Sequence, residues 1–186
     1  MIHRFSRYMR CLICLVVAVA SVLLSVTVGA DESYEIFVYI DNIQGESTNA
    51  VHSNWVDVVS FEHSISMAFS FAGGGGEGKV QHNDMKIVKR LDKSSPLLNS
   101  KCCMGQQIAI IKLEVCKSSG AKEKIQEITF EDVVITSVKI SATPQNGETR
   151  PREEVTFTYA KIKWKYYCFP GGTVETGWDV VGNQSY

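Results

Sequence analysis

The run Ala72-Gly73-Gly74-Gly75-Gly76-Glu77-Gly78-Lys79-Val80 is the part of this 186-residue chain that most invites a chemical reading. From Gly73 it spells G-x-x-x-x-G-K, the loop whose backbone amides cradle phosphates while its lysine reaches the outer ones. Val80 stands where a Ser or Thr hydroxyl would hold magnesium. A phosphate loop also needs a strand before it and a helix after it. The period of residues 79–91 leaves that open. Asn83, Met85, Ile87 and Leu91 fit a strand face, while Val80, Asp84, Ile87, Val88 and Leu91 fit a helix. The chain shows no βαβ alternation elsewhere, so the run reads as a glycine-rich loop joining two strands. Such a loop gains order by packing against another subunit rather than by holding a nucleotide.

The other reactive side chains form no site by spacing. Of 6 cysteines, Cys11 and Cys14 fall in an apolar leader, leaving Cys102, Cys103, Cys116 and Cys168. Bridging the neighbours Cys102 and Cys103 would be strained, and both disulfides and plain buried thiols remain open. No C-x-x-C or histidine pair stands near them to suggest zinc. His52, His63 and His82 are scattered and are expected at the surface or in loops. A G-x-S-x-G elbow is missing, and Cys116 and Cys168 lie in apolar stretches rather than the electropositive setting a nucleophilic thiol needs. Glu131-Asp132 and Glu153-Glu154 are adjacent pairs, which a strand sends to opposite faces. The reading therefore assigns no catalytic residue, no cofactor, no metal and no small-molecule substrate.

The elements that position these residues are strands almost throughout. Residues 1–30 carry Arg4, Arg7 and Arg10, then an uncharged stretch from Cys11 ending in Val28-Gly29-Ala30. That is the pattern of a secretory signal peptide cut before Asp31; an uncleaved anchor is the competing reading. Residues 31–186 then form one domain, long enough to bury a core. The chain has 19 basic and 20 acidic residues, a formal net charge of −1. Loss of the leader removes only basic ones, so a nucleic-acid partner, which needs a basic footprint, is not expected. Tyr34–Ile40 is apolar on both faces, and Trp55–Phe61 is β-branched and aromatic. Within Ile108–Cys116, Ile111, Leu113 and Val115 alternate with Lys112 and Glu114. In residues 125–140, Ile128, Phe130, Val134, Val138 and Ile140 share a parity, interrupted near Glu131-Asp132 by a bulge or turn. One strand is expected over Val155–Cys168, with Ile162, Trp164 and Tyr166 opposite a solvated stripe of Lys161, Lys163 and Lys165. A last strand covers Val174–Val181. Ser94-Ser95-Pro96 starts the single helix and Gly105 ends it. Asn42–Asn54 and Thr143–Glu154 are polar loops. Many short strands with one helix make a mainly β antiparallel sandwich or barrel.

Taken in order, YEIFVYIDNIQGES, the Trp55 strand with SFEHSIS, AGGGGEGKV and KRLDKSSPLL are followed by IIKLEVCKSSG, ITFEDVVITSV, YAKIKWKY and VETGWDV. This series, from Tyr34 to Val180, resembles the haemolysin-coregulated protein (Hcp) family of type VI secretion tube proteins. The resemblance implies two antiparallel sheets forming a tight β-barrel with one short flanking helix. It implies homo-hexameric rings that stack into a tube within a contractile sheath and behind a spike, with small effector proteins carried in the lumen. It also implies a subunit interface at Gly73, Gly74, Gly75, Gly76, Glu77 and Gly78, and at Ser47 and His52 in the Asn42–Asn54 loop. A closed ring needs two different matching patches per subunit. The leader departs from the family, whose tube subunits leave the cell through the machine itself without one. The other reading is an exported barrel of the same fold that binds a ligand as a monomer in the periplasm or outside the cell.

Overall fold

The computed structural model describes residues 33–68, 79–118, 123–142 and 150–186; the leader and Gly73–Gly78 lie outside the described residues. Among the described residues, eleven strands and one helix follow in order: β1 (Tyr34–Ile40), β2 (Val56–Glu62), β3 (Ile65–Ala68), β4 (Lys79–His82), β5 (Met85–Arg90), α1 (Ser95–Met104), β6 (Ile108–Lys117), β7 (Lys124–Ser141), β8 (Arg152–Thr158), β9 (Lys161–Tyr167), β10 (Thr173–Asp179) and β11 (Gln184–Ser185). One sheet runs β11-β10-β9-β7-β6-β1-β2-β5-β8, and β8 pairs back onto β7. The six strands from β7 round to β8 thus close an antiparallel barrel, which removes the exposed edges that an open sheet would leave. β3 and β4 form a separate two-stranded hairpin.

Inward side chains at alternate positions fill the barrel. Val38, Val56, Ile87, Leu113, Phe130 and Phe157 are all almost fully buried. Phe130 meets Phe157 edge-on, with ring centroids 5.2 Å apart at 85°. Each such side chain contributes about 1.5–3 kcal/mol by leaving water.

Closure depends on a corner in two long strands. β7 pairs with β9 over Gln126–Glu131 and with β8 over Val134–Ser141. Between these stretches Asp132 takes φ 55°, and the Ala160 amide donates to the Glu131 carbonyl at 3.1 Å. The expected interruption is therefore real, and its consequence exceeds the expectation. An inserted residue reverses which face the chain presents, so Val133 and Ile135 enter the core after Ile128 and Phe130. Val134 and Val138 are only half-buried and Ile140 is exposed, against the single parity expected for them. The continuous strand expected over Val155–Cys168 is likewise broken at Tyr159-Ala160 into β8 and β9. β9 then leaves the barrel toward β10, so Ile162 is buried, Trp164 half-buried and Tyr166 exposed. Lys163 and Lys165 reach Glu175 on β10 at 3.4 and 3.1 Å. Such solvated pairs contribute about 0–1 kcal/mol.

The helix ends as Gly105 suggests and begins differently. Gly105 adopts φ 57°, its amide bonding Cys102 O while Gln106 bonds Lys101 O; this double bond is the Schellman closure. Ser94 stands at the N-cap in a helical conformation and makes no side-chain cap. Its hydroxyl and amide both donate to Asp92 Oδ1 instead. The same carboxylate accepts from Lys89 at 2.8 Å. Lys89 lies on the core face of β5 beside Met85 and Ile87, fully buried, with Glu153 of β8, also fully buried, as its ion-pair partner. Ser95 Oγ accepts from Lys89 Nζ at 3.1 Å and donates to Glu153 Oε1. A buried charge is tolerated only when paired and hydrogen-bonded in this way.

Candidate functional site

Two features stand out from the barrel: the β1–β2 connection, residues 41–55, and the β3–β4 hairpin. The connection is built, not slack. Gly45 N donates to Asn54 O at 2.8 Å, Ser47 N to Trp55 O at 3.0 Å and Asn54 N to Ser47 O at 3.0 Å. Asn42 and Asn54 adopt left-handed φ values of 60° and 62°, which asparagine tolerates better than most residues. A Cβ on Gly45 would lie 2.3 Å from Trp55 O, so only glycine allows this approach. Glu46 anchors the connection outward, accepting from the Lys93 amide at 3.1 Å and from Arg150 at 2.8 Å.

Beneath the connection, Ser47 and His52 are buried; His52 lies in a loop, one of the two placements expected for it, but not at the surface. Its ring stacks on Phe37 with centroids 4.2 Å apart and meets Trp55 edge-on. His52 Nε2 lies 2.8 Å from Glu114 Oε2, and Lys124 donates to Glu114 Oε1 at 2.7 Å. The alternation in β6 set Glu114 on the face opposite Ile111, Leu113 and Val115. The 41–55 connection covers that face, which is why charged groups there are buried and paired. For Lys124, partial burial opposes the charge, yet hydrogen bonds to Glu114 and Glu127 outweigh it and raise its pKa above the usual lysine range. Most of the remaining connection faces solvent, Val51, Ser53 and Asn54 around the buried His52 among them.

On the hairpin, Ile65 and Met67 are exposed. The residues after the G-x-x-x-x-G-K run form β4, so Lys79 opens a strand and the helix required by a phosphate loop is not there. At the hairpin's base two histidines that looked unrelated converge on one hydroxyl. His63 Nε2 lies 2.6 Å and His82 Nδ1 3.4 Å from Tyr159 Oη. His82 also stacks against Trp164 and Trp178. Burial lowers both imidazole pKa values from 6.5, and for His63 the charge of His82 adds to the effect. The unfolded chain therefore takes up protons that the folded one refuses, so this stability is present above pH 6.5 and declines as pH falls toward the lowered values. Urea unfolding from about pH 7.5 down to about pH 5 should show a falling free energy, and His63→Gln should flatten the slope.

The four described cysteines are all outside disulfides; Cys116 is buried and Cys103 exposed. Cys168 ends just past β9, its amide donating to Gly172 O. Nothing among the described residues lines up a nucleophile, a base and an oxyanion donor in one cleft. The geometry is that of a scaffold with one connection packed over its wall and one exposed hairpin.

The sequence pattern of the family described as "Type VI secretion system effector, Hcp" matches residues 37–166. The chain belongs to the Hcp family. It is 31% identical over 158 residues to "Protein hcp1" of Pseudomonas aeruginosa, covering 80% of this chain and 96% of that protein. The "Major exported protein" of the same organism is 26% identical over 134 residues, covering 69% of this chain and 78% of its own length. Among solved structures, Hcp1 from Salmonella typhimurium superposes with a TM-score of 0.72 at 29% identity, covering 83% of this chain and 99% of that one. A type VI secretion system effector from Yersinia pestis gives 0.66 at 30% identity, covering 78% and 99%. Hcp membership places the chain among structural tube proteins of type VI secretion rather than among enzymes.

The resemblance read from the ordered segments thus holds, and so does the barrel it implied. Of the expected interface residues, Ser47 and His52 shape the β1–β2 connection from beneath. Gly73, Gly74, Gly75, Gly76, Glu77 and Gly78 lie in the link between β3 and β4, outside the described residues. The buried partners Lys89–Glu153 and His52–Glu114 were missed. The only signal for them was a lysine or a glutamate at a core-parity or covered-face position of a strand.

Proposed function

We propose that the chain is an exported ring subunit: residues 1–30 act as a cleaved leader, and residues 31–186 assemble into hexameric rings that stack and carry small effector proteins. Family membership is the observation that carries this reading. One relative is a major exported protein of Pseudomonas aeruginosa, which supports export. Support for assembly comes from the exposed hairpin and the ordered connection. Ile65 and Met67 expose 43% and 56% of their surface on a hairpin that pairs with no other described strand, and apolar side chains so displayed gain by being covered. The hairpin with Gly73–Gly78, and the connection shaped by Ser47 and His52, are the candidates for ring-to-ring contact. Neighbouring subunits around the ring meet through two different faces, as a head-to-tail closure requires.

Light scattering on the mature protein should report a ring-sized particle, and Met67→Glu should reduce it toward the single subunit. A strict monomer across a wide concentration range overturns the assembly reading and leaves an exported monomeric barrel in its place. The mass of the intact secreted protein reports whether it begins at Asp31.

A further inference from the structure

We propose that His52, Glu114 and Cys116 form a binding site for a borderline-soft divalent cation, zinc above all, that fastens the β1–β2 connection to the barrel. Glu114 and Cys116 are two apart on β6, so both project from one face; His52 comes down onto that face from the connection. One ligand atom from each of the three lies within 4.8 Å of the others, and all three residues are buried, at 2%, 4% and 1% exposure. Imidazole, carboxylate and thiolate are the donor types that zinc takes. With ordinary zinc bond lengths, tetrahedral ligands sit roughly 3.3–3.8 Å apart. The His52–Glu114 separation of 2.8 Å therefore needs to widen only slightly.

The surroundings are those of a supported site. Phe37 and Trp55 hold the imidazole ring in place from its face and its edge. Lys124 occupies Glu114 Oε1 and leaves Oε2 turned toward His52, as outer partners of metal ligands do. A second observation concerns His52 itself: its Nδ1 is buried without a hydrogen-bond partner among the described residues. An unpartnered buried ring nitrogen is costly, and coordination through Nδ1 would supply the partner it lacks. Charge also balances, since a carboxylate and a thiolate together neutralise a divalent ion in a place where a net charge would be expensive. Glu35 stands directly opposite Cys116 in the β1–β6 register.

The test uses the full-length protein, reduced and freed of metal, titrated first with cobalt and then with zinc. The expected result is one cobalt per chain, with a thiolate-to-cobalt charge-transfer band that zinc abolishes. Cys116→Ser should lose the band, and Glu114→Gln should weaken binding about 10-fold or more. A Cys102→Ser/Cys103→Ser double variant should bind as wild type does. Zinc-edge absorption on the wild type, which needs no variant to fold, should find a single sulfur among nitrogen and oxygen ligands. No cobalt band, a band that survives Cys116→Ser, or two sulfurs on the zinc would each overturn the site and leave a plain buried His–Glu pair.

Discussion

Lys89→Ala should destabilise the fold by about 3–5 kcal/mol, because it leaves Glu153 charged in the core with its ion-pair partner gone. Both side chains are fully buried, so water cannot take the place of the lost ammonium. The loss would spread, since Lys89 also donates to the Arg90 carbonyl, Asp92 and Ser95. These contacts tie β5 and β8 to the start of α1, and the turn through Asp92 to Ser94 should loosen with them. Glu153→Ala is expected to cost a similar amount. Exchanging the pair together, Lys89→Met with Glu153→Leu, removes both charges and should recover most of the loss. Equilibrium urea unfolding of wild type, Lys89→Ala, Glu153→Ala and the Lys89→Ala/Glu153→Ala double variant closes the double-mutant cycle, and the Met/Leu variant adds the effect of refilling the space. Equal losses in the single and double variants would show that packing, not charge, dominates at this position. Against a typical total stability of 5–15 kcal/mol, the single variants should be marginal at physiological temperature.

Gly45→Val is expected to unmake the β1–β2 connection while the barrel persists. Even a Cβ would meet Trp55 O at 2.3 Å and Val56 Cα at 2.7 Å. Those are backbone atoms at the entry to β2, which no rotamer change can move aside. The cost should reach or exceed the upper part of the range for overpacking, about 3 kcal/mol. The visible result should be fast amide exchange across residues 43–55 with slow exchange kept in β6 and β7, together with loss of ring-sized particles. Retained protection of the Ser47 and Asn54 amides would refute the prediction. His52 would be uncovered at the same time, so this variant should also lose the cobalt band expected of the His52–Glu114–Cys116 site.

Much of the architecture was legible in short-range patterns. The two-residue alternation in β6, the two apolar faces of β1, and Pro96 with Gly105 around the helix all act through neighbouring residues. Their outcome differs little with what lies far along the chain. The ordered set of segments carried the family for the same reason, because each piece is a local pattern. Asp132 marks where that legibility ended. The break in pattern was visible, but which parity would face inward after it depended on whether β7 turned from β9 to β8, a matter of pairing between distant strands.

The buried charges followed the same logic. Alternation says which residues share a face; it does not say what covers that face. Lys89 and Glu153 lie 64 residues apart, and His52 and Glu114 lie 62 apart. Only the β5–β8 register sets Lys89 opposite Glu153, and only the packed 41–55 connection brings His52 to Glu114 and turns that face of β6 into an interior. His63 and His82 likewise became neighbours through Tyr159, which no spacing between them announces. By itself, then, the sequence determined strands, helix ends and family, because these rest on steric and hydrogen-bonding preferences a few residues long. The tertiary structure decided which polar side chains are buried and with whom, because burial is a property of surfaces brought together from opposite ends of the chain.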